Sequence, residues 1–224
     1  MTPKMTQKMT QNNIAEKLAR ISLEIGAIKF SPDQPFTWAS GYKMPIYNDN
    51  RLLLGNAGHR TLITQGFQDL LKKCTTKVDV IAGTATAGIP HATTLADHLQ
   101  LPLIYVRSAS KTHGMGNRIE GPLKENQQVL VIEDLVSTGG SAANAVTAIR
   151  EAGGIVNHCF SIFSYGLTEA TDKFEGISCE IHSILDFSEL LKIALSTQNL
   201  CSNNIETLRS WQKAPFKWAE NNGF

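Results

Sequence analysis

The sequence predicts an α/β protein with a mostly parallel, twisted sheet that carries helices on both faces. Short apolar runs alternate with helical segments over most of the chain, and polar, glycine-rich turns follow several of these runs. Hydrophobic residues make up 42% of the chain, which is enough to build a buried core. Strands that alternate with helices form parallel sheets, and such sheets bind ligands beyond the carboxyl ends of their strands.

A helix and an irregular segment are predicted before the sheet begins. Apolar residues recur at helical spacing between Ile14 and Ile25, and Gly26 then ends the helix. Residues 30–51 contain three prolines and several aromatic residues, a composition that predicts loops with short extended pieces. Residues 1–13 lack an apolar run, so we expect a disordered tail there and not a secretory signal.

The remaining elements follow in a regular order. Hydrophobic periodicity places a second helix at residues 62–71, whereas residues 107–126 show neither helical nor strand periodicity. The alternating part of the chain predicts five strands, at residues 78–82, 103–106, 129–132, 155–165 and 181–185, with helices at 89–100 and 141–152.

The charges of the chain nearly cancel. Lys and Arg number 21, and Asp and Glu number 20, which leaves a formal charge of +1. A protein that binds nucleic acid through a bulk basic field carries a clear cationic excess, so we expect no nucleic-acid partner. The apolar runs are only a few residues long, so we expect no membrane span. Charged residues make up only 18% of the chain, which suggests that a partner subunit covers part of the surface.

The four cysteines are scattered along the chain. They are Cys74, Cys159, Cys179 and Cys201, with no C-x-x-C pair and no nearby His at metal-ligand spacing. We therefore expect reduced thiols in a cytosolic protein, most of them packed as small apolar side chains.

The strongest local motif is VLVIEDLVSTGGS, residues 129–141. A buried strand delivers the adjacent carboxylates of Glu133 and Asp134 to the sheet edge, and a turn of small residues then enters a helix. Glycines, hydroxyl side chains and a helix N-terminus together suit a phosphate. The carboxylates would repel that phosphate, and they suit sugar hydroxyls or a hydrated Mg²⁺. The motif predicts a phosphorylated-sugar site; the alternative is a pair of solvated acids before a helix-capping turn.

Two other glycine-rich segments follow predicted strands. Residues 83–88 have the G-x-x-x-x-G spacing of an NTPase phosphate loop, but Ile89-Pro90 stands where Lys and Ser or Thr are required. Two interpretations stay open for this segment: backbone contacts to a second phosphate, or a simple turn into a helix. Residues 107–118 carry three fixed positive charges and no acid. Such a loop is typical of a lid that closes over a polyphosphate, and the alternative is a solvated surface loop.

Three motifs, in the same order along the chain, resemble those of the orotate phosphoribosyltransferase family. Residues 133–141, EDLVSTGGS, are similar to the 5-phosphoribosyl-1-diphosphate (PRPP) signature of type I phosphoribosyltransferases. Residues 107–114 resemble the family's R-x-x-x-K-x-H-G loop, and residues 36–51, FTWASGYKMPIYNDNR, resemble its N-terminal hood segment. With the turn at 83–90, the resemblance covers roughly residues 14–195.

The resemblance implies a type I phosphoribosyltransferase fold with a small N-terminal hood. It also implies which reaction the chain catalyses and how its subunits assemble. The reaction transfers the 5-phosphoribosyl group from PRPP to orotate and gives orotidine 5′-monophosphate and pyrophosphate, in de novo pyrimidine (UMP) biosynthesis. It depends on Mg²⁺, which PRPP carries, so no direct protein ligand for the metal is implied. Catalysis of this kind works by positioning and charge stabilisation. The assembly is a cytoplasmic homodimer in which the lid loop of each subunit serves the neighbouring site.

The resemblance also implies residue roles. Lys111, His113 and Asp134 are implied to be catalytic. Ser137 is implied to contact the base as well as the phosphate, and Arg51 is a candidate for binding orotate. The residues implied to bind PRPP are Thr84, Arg107, Lys111, His113, Glu133, Asp134, Leu135, Val136, Ser137, Thr138, Gly139, Gly140 and Ser141.

The chain departs from the family pattern where some members carry additional lysines. Fewer cations therefore surround the diphosphate, and the group that holds the orotate carboxylate has no firm assignment; Arg51 and Lys43 in the hood segment are the candidates. The departures are Ala39, Ala87, Ser108 and Ala109.

These inferences divide the chain into four parts: a disordered tail (1–13), an N-terminal helix and hood (14–55), a phosphoribosyltransferase core (56–200) and a C-terminal extension (201–224). The extension contains Trp211 and Trp218, which have no assigned role. The histidines outside the motifs are interpreted as structural or surface residues; they are His59, His91, His98, His158 and His182.

Two alternatives to the orotate enzyme stay open. One is a phosphoribosyltransferase for another nucleobase, which shares the PRPP signature. The other is a non-catalytic PRPP-sensing regulator on the same fold, which would need a surface for nucleic acid. The sequence contains neither a helix-turn-helix extension nor a basic stripe of that kind.

Overall fold

In the computed structural model, which describes residues 3–38, 40–108 and 118–224, a long helix begins the chain. This helix, α1, spans Pro3–Glu24 and packs against the helical layer on one face of the sheet. It extends through most of residues 1–13, where the sequence predicts a disordered tail. Lys, Met and Gln, which recur in this stretch, are good helix formers, and that propensity favours the helix. The division of the chain into four parts stays a prediction.

Short antiparallel pairs form the hood segment and its surroundings. They confirm the prediction of loops with short extended pieces. Strand β1 (Ile28–Phe30) pairs with β4 (Ile46–Asn48), β2 (Phe36–Thr37) pairs with β3 (Lys43–Met44), and a 3-10 helix (Asn50–Gly55) follows.

The rest of the described chain alternates between helices and the strands of one sheet. The elements are α2 (Ala57–Leu71), β5 (Val80–Thr84), α3 (Gly88–Leu99), β6 (Leu103–Val106), β7 (Ile119–Glu120), β8 (Gln128–Val136), α4 (Gly140–Glu151), β9 (Ile155–Ser164), α5 (Thr168–Gly176), β10 (Glu180–Asp186), α6 (Phe187–Ser196), α7 (Ser202–Lys213) and α8 (Trp218–Asn221).

The order of strands in this sheet creates a crevice. The order is β10-β9-β8-β5-β6-β7, and the β6–β7 pair is antiparallel whereas the other described pairs are parallel. The chain runs outward from β5 to β6 and then returns to place β8 on the other side of β5. At such a switch point the connections after two neighbouring strands diverge and leave room for a ligand. Thr84 ends β5, and Glu133 and Asp134 lie on β8 beside it.

Alternate side chains of the strands pack against helices on opposite faces of the sheet. Ile81, Leu130 and Ile132 belong to a core shared with α1, α2, α3 and α6. Val80 and Val131 face the other way, into a core shared with α4 and α5. This two-residue alternation is the geometry of a strand that is buried on both faces. The α/β fold class predicted from the sequence is confirmed.

Two strands differ from the predictions. The sequence predicts that the third strand ends at residue 132, but β8 continues to Val136. Glu133 is buried and lies in register with Ser161 of β9, so the acidic pair belongs to the sheet and not to the turn. Strand β7 lies in the segment 107–126, where no strand is predicted. It has only two residues, too few for periodicity to reveal, and it forms by pairing with β6.

The C-terminal extension folds as α7 and α8 against the rest of the molecule, and both Trp211 and Trp218 are buried. All four cysteines are free, as predicted; Cys159 and Cys179 are buried, and Cys201 is exposed. No helix within the described ranges is long and apolar enough to cross a bilayer.

Candidate active site

Glu133 joins three segments at the switch point. Its Oε1 accepts a hydrogen bond of 2.7 Å from the Thr84 hydroxyl, and its Oε2 accepts one of 3.0 Å from the Ser141 hydroxyl. The backbone N–H of Asp134 also donates to Oε1, at 3.1 Å. Both carboxylate oxygens accept hydrogen bonds and only 5% of the residue is exposed. Glu133 therefore fixes the end of β5 and the beginning of α4 relative to β8.

The carboxyl groups of this pair are poorly solvated. Burial raises the pKa of Glu133, the hydrogen bond from Thr84 opposes that rise, and the neighbouring charge of Asp134 adds to it. Burial is also the main cause that raises the pKa of Asp134. Asp134 is the less buried of the two, and its backbone carbonyl accepts a 2.8 Å hydrogen bond from the Asn50 side chain. The pair therefore resists holding two negative charges unless a cationic partner is near.

The turn at residues 137–140 leads into the N-terminus of α4. Gly139 has a φ of +73°, and a Cβ at this position would meet the Phe174 ring at 3.1 Å, so the turn requires glycine here. The N-terminus of α4 presents backbone N–H groups of the kind that bind phosphate. Lys173 on α5 donates from Nζ to the Thr138 carbonyl at 3.0 Å, which places an ammonium group beside the turn. No sequence motif marks Lys173, and it is not among the predicted residues.

Cationic side chains lie next to Thr84 and Ser141, the two residues whose hydroxyls donate to Glu133. Thr84, Arg107, Arg118 and Ser141 are among the residues that line a small cavity of about 70 Å³. The Arg118 Nε donates to the Arg107 carbonyl at 3.3 Å, and Arg107 Nη1 lies 3.9 Å from Glu120 Oε1. The structure thus brings the predicted Thr84, Arg107 and Ser141 together with Arg118, the last cation of the predicted segment 107–118. Ser108 lines the same cavity.

Several predicted residues lie outside the described part of the chain. Lys111 and His113, both predicted to be catalytic, belong to this group, as do Ala39 and Ala109. Their roles stay predictions.

An apolar pocket of about 490 Å³ lies between the hood segment and the turn. Trp38 and Tyr165 form one wall, with ring centroids 5.4 Å apart. Both amide atoms of Asn48 are buried without a hydrogen-bond partner, so this residue can pair with a ligand that carries a donor and an acceptor. The pocket suits a flat, aromatic, polar-edged ligand. Its lining includes Trp38, Tyr47, Asn48, Leu135, Ser137, Thr138, Tyr165 and Phe216.

The C-terminal extension supplies part of this pocket. Phe216 lines it and makes an edge-to-face contact with Tyr42 of the hood segment, with ring centroids 5.0 Å apart. The Gln212 side chain donates to the Tyr165 carbonyl at 2.6 Å, and Trp211 packs edge-on against the Tyr165 ring at 5.3 Å. The extension therefore holds the hood segment and the pocket wall in place.

Other predicted residues lie apart from the pocket or contribute through the backbone. Arg51 forms an ion pair with Asp49 at 2.6 Å, its side chain is 66% exposed, and it is not among the described residues that line the pocket. Lys43 is exposed on β3. The Val136 side chain is buried, which leaves only its backbone to face a ligand. Ala87 precedes α3 as its N-cap residue.

Residues 57–189, more than half of the chain, match the family of phosphoribosyl transferase domains. The chain therefore belongs to that family.

Similar proteins within the family share one activity. The orotate phosphoribosyltransferase of Listeria monocytogenes serovar 1/2a is 45% identical over 208 residues, which cover 93% of this chain and all (100%) of the relative. That of Halalkalibacterium halodurans is 44% identical over 200 residues, which cover 89% of this chain and 95% of the relative. The crystal structure of orotate phosphoribosyltransferase from Aeropyrum pernix matches with a TM-score of 0.70 at 26% identity, over 78% of this chain and 96% of that one. The chain groups with the orotate phosphoribosyltransferases.

Proposed function

We propose that this chain is an orotate phosphoribosyltransferase, which transfers the 5-phosphoribosyl group of PRPP to orotate in pyrimidine biosynthesis. One observation carries the proposal: three adjoining sites share the residues of one turn. Ser141 lies in the cation-lined cavity and bonds to Glu133, whereas Ser137 and Thr138 line the aromatic pocket. In the reaction, the ribose 5-phosphate part of PRPP lies between its diphosphate and the incoming base. The three adjoining sites match this order of groups.

Different residues of the site would bind different parts of PRPP. The 137–141 turn and the N-terminus of α4 would hold the 5-phosphate, with Lys173 beside them. The Asp134 carboxylate would accept hydrogen bonds from the ribose hydroxyls. Glu133, which accepts a hydrogen bond from the Asp134 backbone N–H, would hold Asp134 in position. Arg107 and Arg118 would face the diphosphate together with the predicted Lys111 and His113.

The reaction then exchanges one bond at ribose C1 for another. The bond from C1 to the diphosphate oxygen breaks, and its electron pair leaves with pyrophosphate. The ring nitrogen of orotate forms the new bond to C1 and loses its proton, which the leaving pyrophosphate can accept. C1 gains positive charge between these events, which the neighbouring carboxylates stabilise, while the cationic side chains stabilise the leaving group. The aromatic pocket excludes water and positions the base.

Mg²⁺ fits this site as a partner of the substrate. Mg²⁺ is a hard cation that prefers oxygen ligands. Burial raises the pKa of Asp134, and a divalent cation nearby would favour the charged form of its carboxyl group. When bound, the ion would neutralise charge on the diphosphate. PRPP would carry the ion into the site, and the Asp134 carboxylate would lie near it.

The base is proposed to lie in the aromatic pocket. Asn48 can satisfy its two buried amide atoms on a carbonyl and an N–H of the pyrimidine ring. Arg51 stays a prediction for the carboxylate, although its pairing with Asp49 means that it would have to exchange partners.

Turnover of PRPP and orotate, measured as release of pyrophosphate, tests this function. Asp134→Asn should reduce turnover by about a hundredfold, because it removes a charge that stabilises the transition state. Asp97→Asn, on the exposed side of α3, is the matched control and should retain activity. Equal activity of the two variants would contradict the role of Asp134.

A homodimer with a shared site, and a cytoplasmic location, are part of the proposal. A Lys111→Ala chain mixed with an Asp134→Ala chain should regain activity, because each mixed dimer would contain one site with both residues intact. Failure to regain activity, despite subunit exchange demonstrated by mass, would contradict a lid that serves the neighbouring subunit.

A further inference from the structure

Three potential metal ligands meet at the edge of the sheet. Cys74, His158 and His182 each offer one ligand atom, and these atoms lie within 4.8 Å of one another. Cys74 follows α2, whereas the two histidines lie on β9 and β10. Long stretches of chain separate them, so the sequence spacing that argues against a metal site could not reveal this cluster.

The sheet fixes the positions of the two histidines. His158 of β9 is in register with Glu180 of the edge strand β10, and His182 follows two residues later on the same face. The Oε2 of Glu180 lies 3.5 Å from His158 Nδ1 and 3.1 Å from His182 Nε2. A carboxylate oxygen is therefore available to both imidazoles.

Hydrogen bonding leaves one nitrogen of His158 free for a ligand bond. The Thr76 hydroxyl lies 3.3 Å from His158 Nε2, whereas Nδ1 is buried and has no hydrogen-bond partner. If Nε2–H donates to Thr76, the lone pair of Nδ1 points into the cluster. Metal-binding histidines are usually held in this way, with the second ring nitrogen donating to a neighbouring oxygen.

We propose that this cluster binds a zinc-class divalent transition metal, with Cys74, His158 and His182 as ligands and the Glu180 carboxylate in the fourth position. Thiolate and imidazole ligands select such metals over Mg²⁺. Bonds of about 2.0–2.3 Å in a tetrahedron place ligand atoms about 3.3–3.8 Å apart, so the cluster has to contract by about 1 Å. The three residues are half-buried at a groove of about 840 Å³, which gives side chains room to rotate and an ion a path from solvent.

The site is separate from the proposed PRPP site. His158 lies six residues before the end of β9, which is about 20 Å along the strand from its carboxyl end. A bound ion would connect the segment after α2 to β10, a strand at the edge of the sheet, and so protect that edge. The proposal does not depend on the enzyme activity.

Titration of the reduced, metal-free, full-length protein with Co²⁺ tests the site. A thiolate ligand gives Co²⁺ a charge-transfer absorption in the near ultraviolet, and we expect one equivalent to bind with this absorption and Zn²⁺ to displace it. Cys74→Ser should abolish the absorption, and His182→Ala should weaken the affinity by about tenfold or more. Cys201→Ser and His98→Ala change an exposed thiol and an exposed imidazole, and both should behave as the parent.

Circular dichroism of each metal-free variant checks that it is folded. If Cys74→Ser does not fold, His182→Ala, which changes a side chain that is 37% exposed, decides the question. The absence of the absorption in the parent, its persistence in a folded Cys74→Ser chain, or an unchanged affinity in His182→Ala would overturn the proposal. Orotate turnover is measured separately, so failure here leaves the proposed function standing.

Discussion

Lys173 illustrates a contribution that only the fold reveals. Its ammonium group donates to the Thr138 carbonyl, and a Cβ built on Gly140 would lie 3.7 Å from its Nζ. A phosphate held by the turn would therefore lie close to a positive charge supplied by α5.

Replacing Lys173 with Met should weaken PRPP binding. Loss of a charge-assisted contact at this solvent-exposed position predicts a rise of about three- to tenfold in the KM for PRPP, and little change in the KM for orotate. Steady-state kinetics with each substrate varied in turn measures both values. Lys192→Met, on α6 at the opposite face of the sheet, is the control, and a PRPP KM equal to that of the control would exclude Lys173 from the phosphate site.

His91 makes stability depend on pH. Burial, assisted by the nearby charge of Arg60, lowers the pKa of His91 from 6.5 to about 4. Its neutral form is therefore favoured in the folded chain, and the stability that it contributes is lost as the unfolded chain takes up a proton below pH 6.5. We predict that this one residue lowers the free energy of unfolding by about 2 kcal/mol between about pH 7 and about pH 5.

Urea unfolding of the parent and of His91→Gln at these two values isolates that effect, because the other titrating groups are shared. The decrease should be smaller in the variant by about the predicted amount. Identical decreases would mean that His91 is not the group responsible.

At the scale of elements, the C-terminal extension helps to form the proposed base pocket. Phe216 touches the pocket and the hood segment, but PRPP is assigned to the opposite side of the turn. Phe216→Ala should therefore raise the KM for orotate by about tenfold, equivalent to about 1.4 kcal/mol, and leave that for PRPP nearly unchanged.

Phe224→Ala is the matched control for Phe216. It removes a ring from the same extension, where Phe224 is exposed and stacks on Trp218 away from the pocket lining. If both variants raise the KM for orotate equally, the effect comes from the stability of the extension and not from the pocket.

Local patterns predicted five strands of the main sheet, the helices α1 to α4 and the centre of the site, but not α5 or α6. The strand before Glu133 and the small-residue turn after it lie within one short stretch, so their chemistry is visible in sequence. β8 is longer than predicted because residues 133–136 continue to pair with β9. The Glu133 carboxylate can be buried there because Thr84 and Ser141, which sequence spacing does not connect to it, donate hydrogen bonds. The sequence resemblance includes Trp38 and Tyr47 in the hood segment, but it gives no indication of Phe216.

The other residues that the sequence did not connect also meet through contacts between distant parts of the chain. Lys173 approaches the site from α5 and stands in no motif that indicates an anion. Arg118 ends the predicted cationic segment 107–118, but no family motif gives it a role of its own. Cys74 and His158 meet only because β9 lies beside the segment that follows α2. Contacts between residues distant in the chain depend on strand order, and strand order does not follow from periodicity.

At the scale of the whole molecule, a formal charge of +1 conceals a separation of charge. Arg107 and Arg118 line one side of the switch point, and Glu133 and Asp134 lie at its centre. The turn before α4 adds the proposed phosphate site, and the hood and C-terminal extension add an apolar pocket. A substrate with a diphosphate, a phosphorylated sugar and an incoming flat base matches each of these parts.

The most direct test of that account is a comparison of nucleobases. Purified chain is incubated with PRPP and Mg²⁺, and kcat/KM is measured for orotate, uracil, adenine and hypoxanthine through pyrophosphate release and nucleotide formation. We predict efficient conversion of orotate to orotidine 5′-monophosphate, with the other bases slower by about a hundredfold or more, since polar groups matched to one base are left unpaired by another. Preferential turnover of a purine, or PRPP binding with no turnover of any base, would contradict the account.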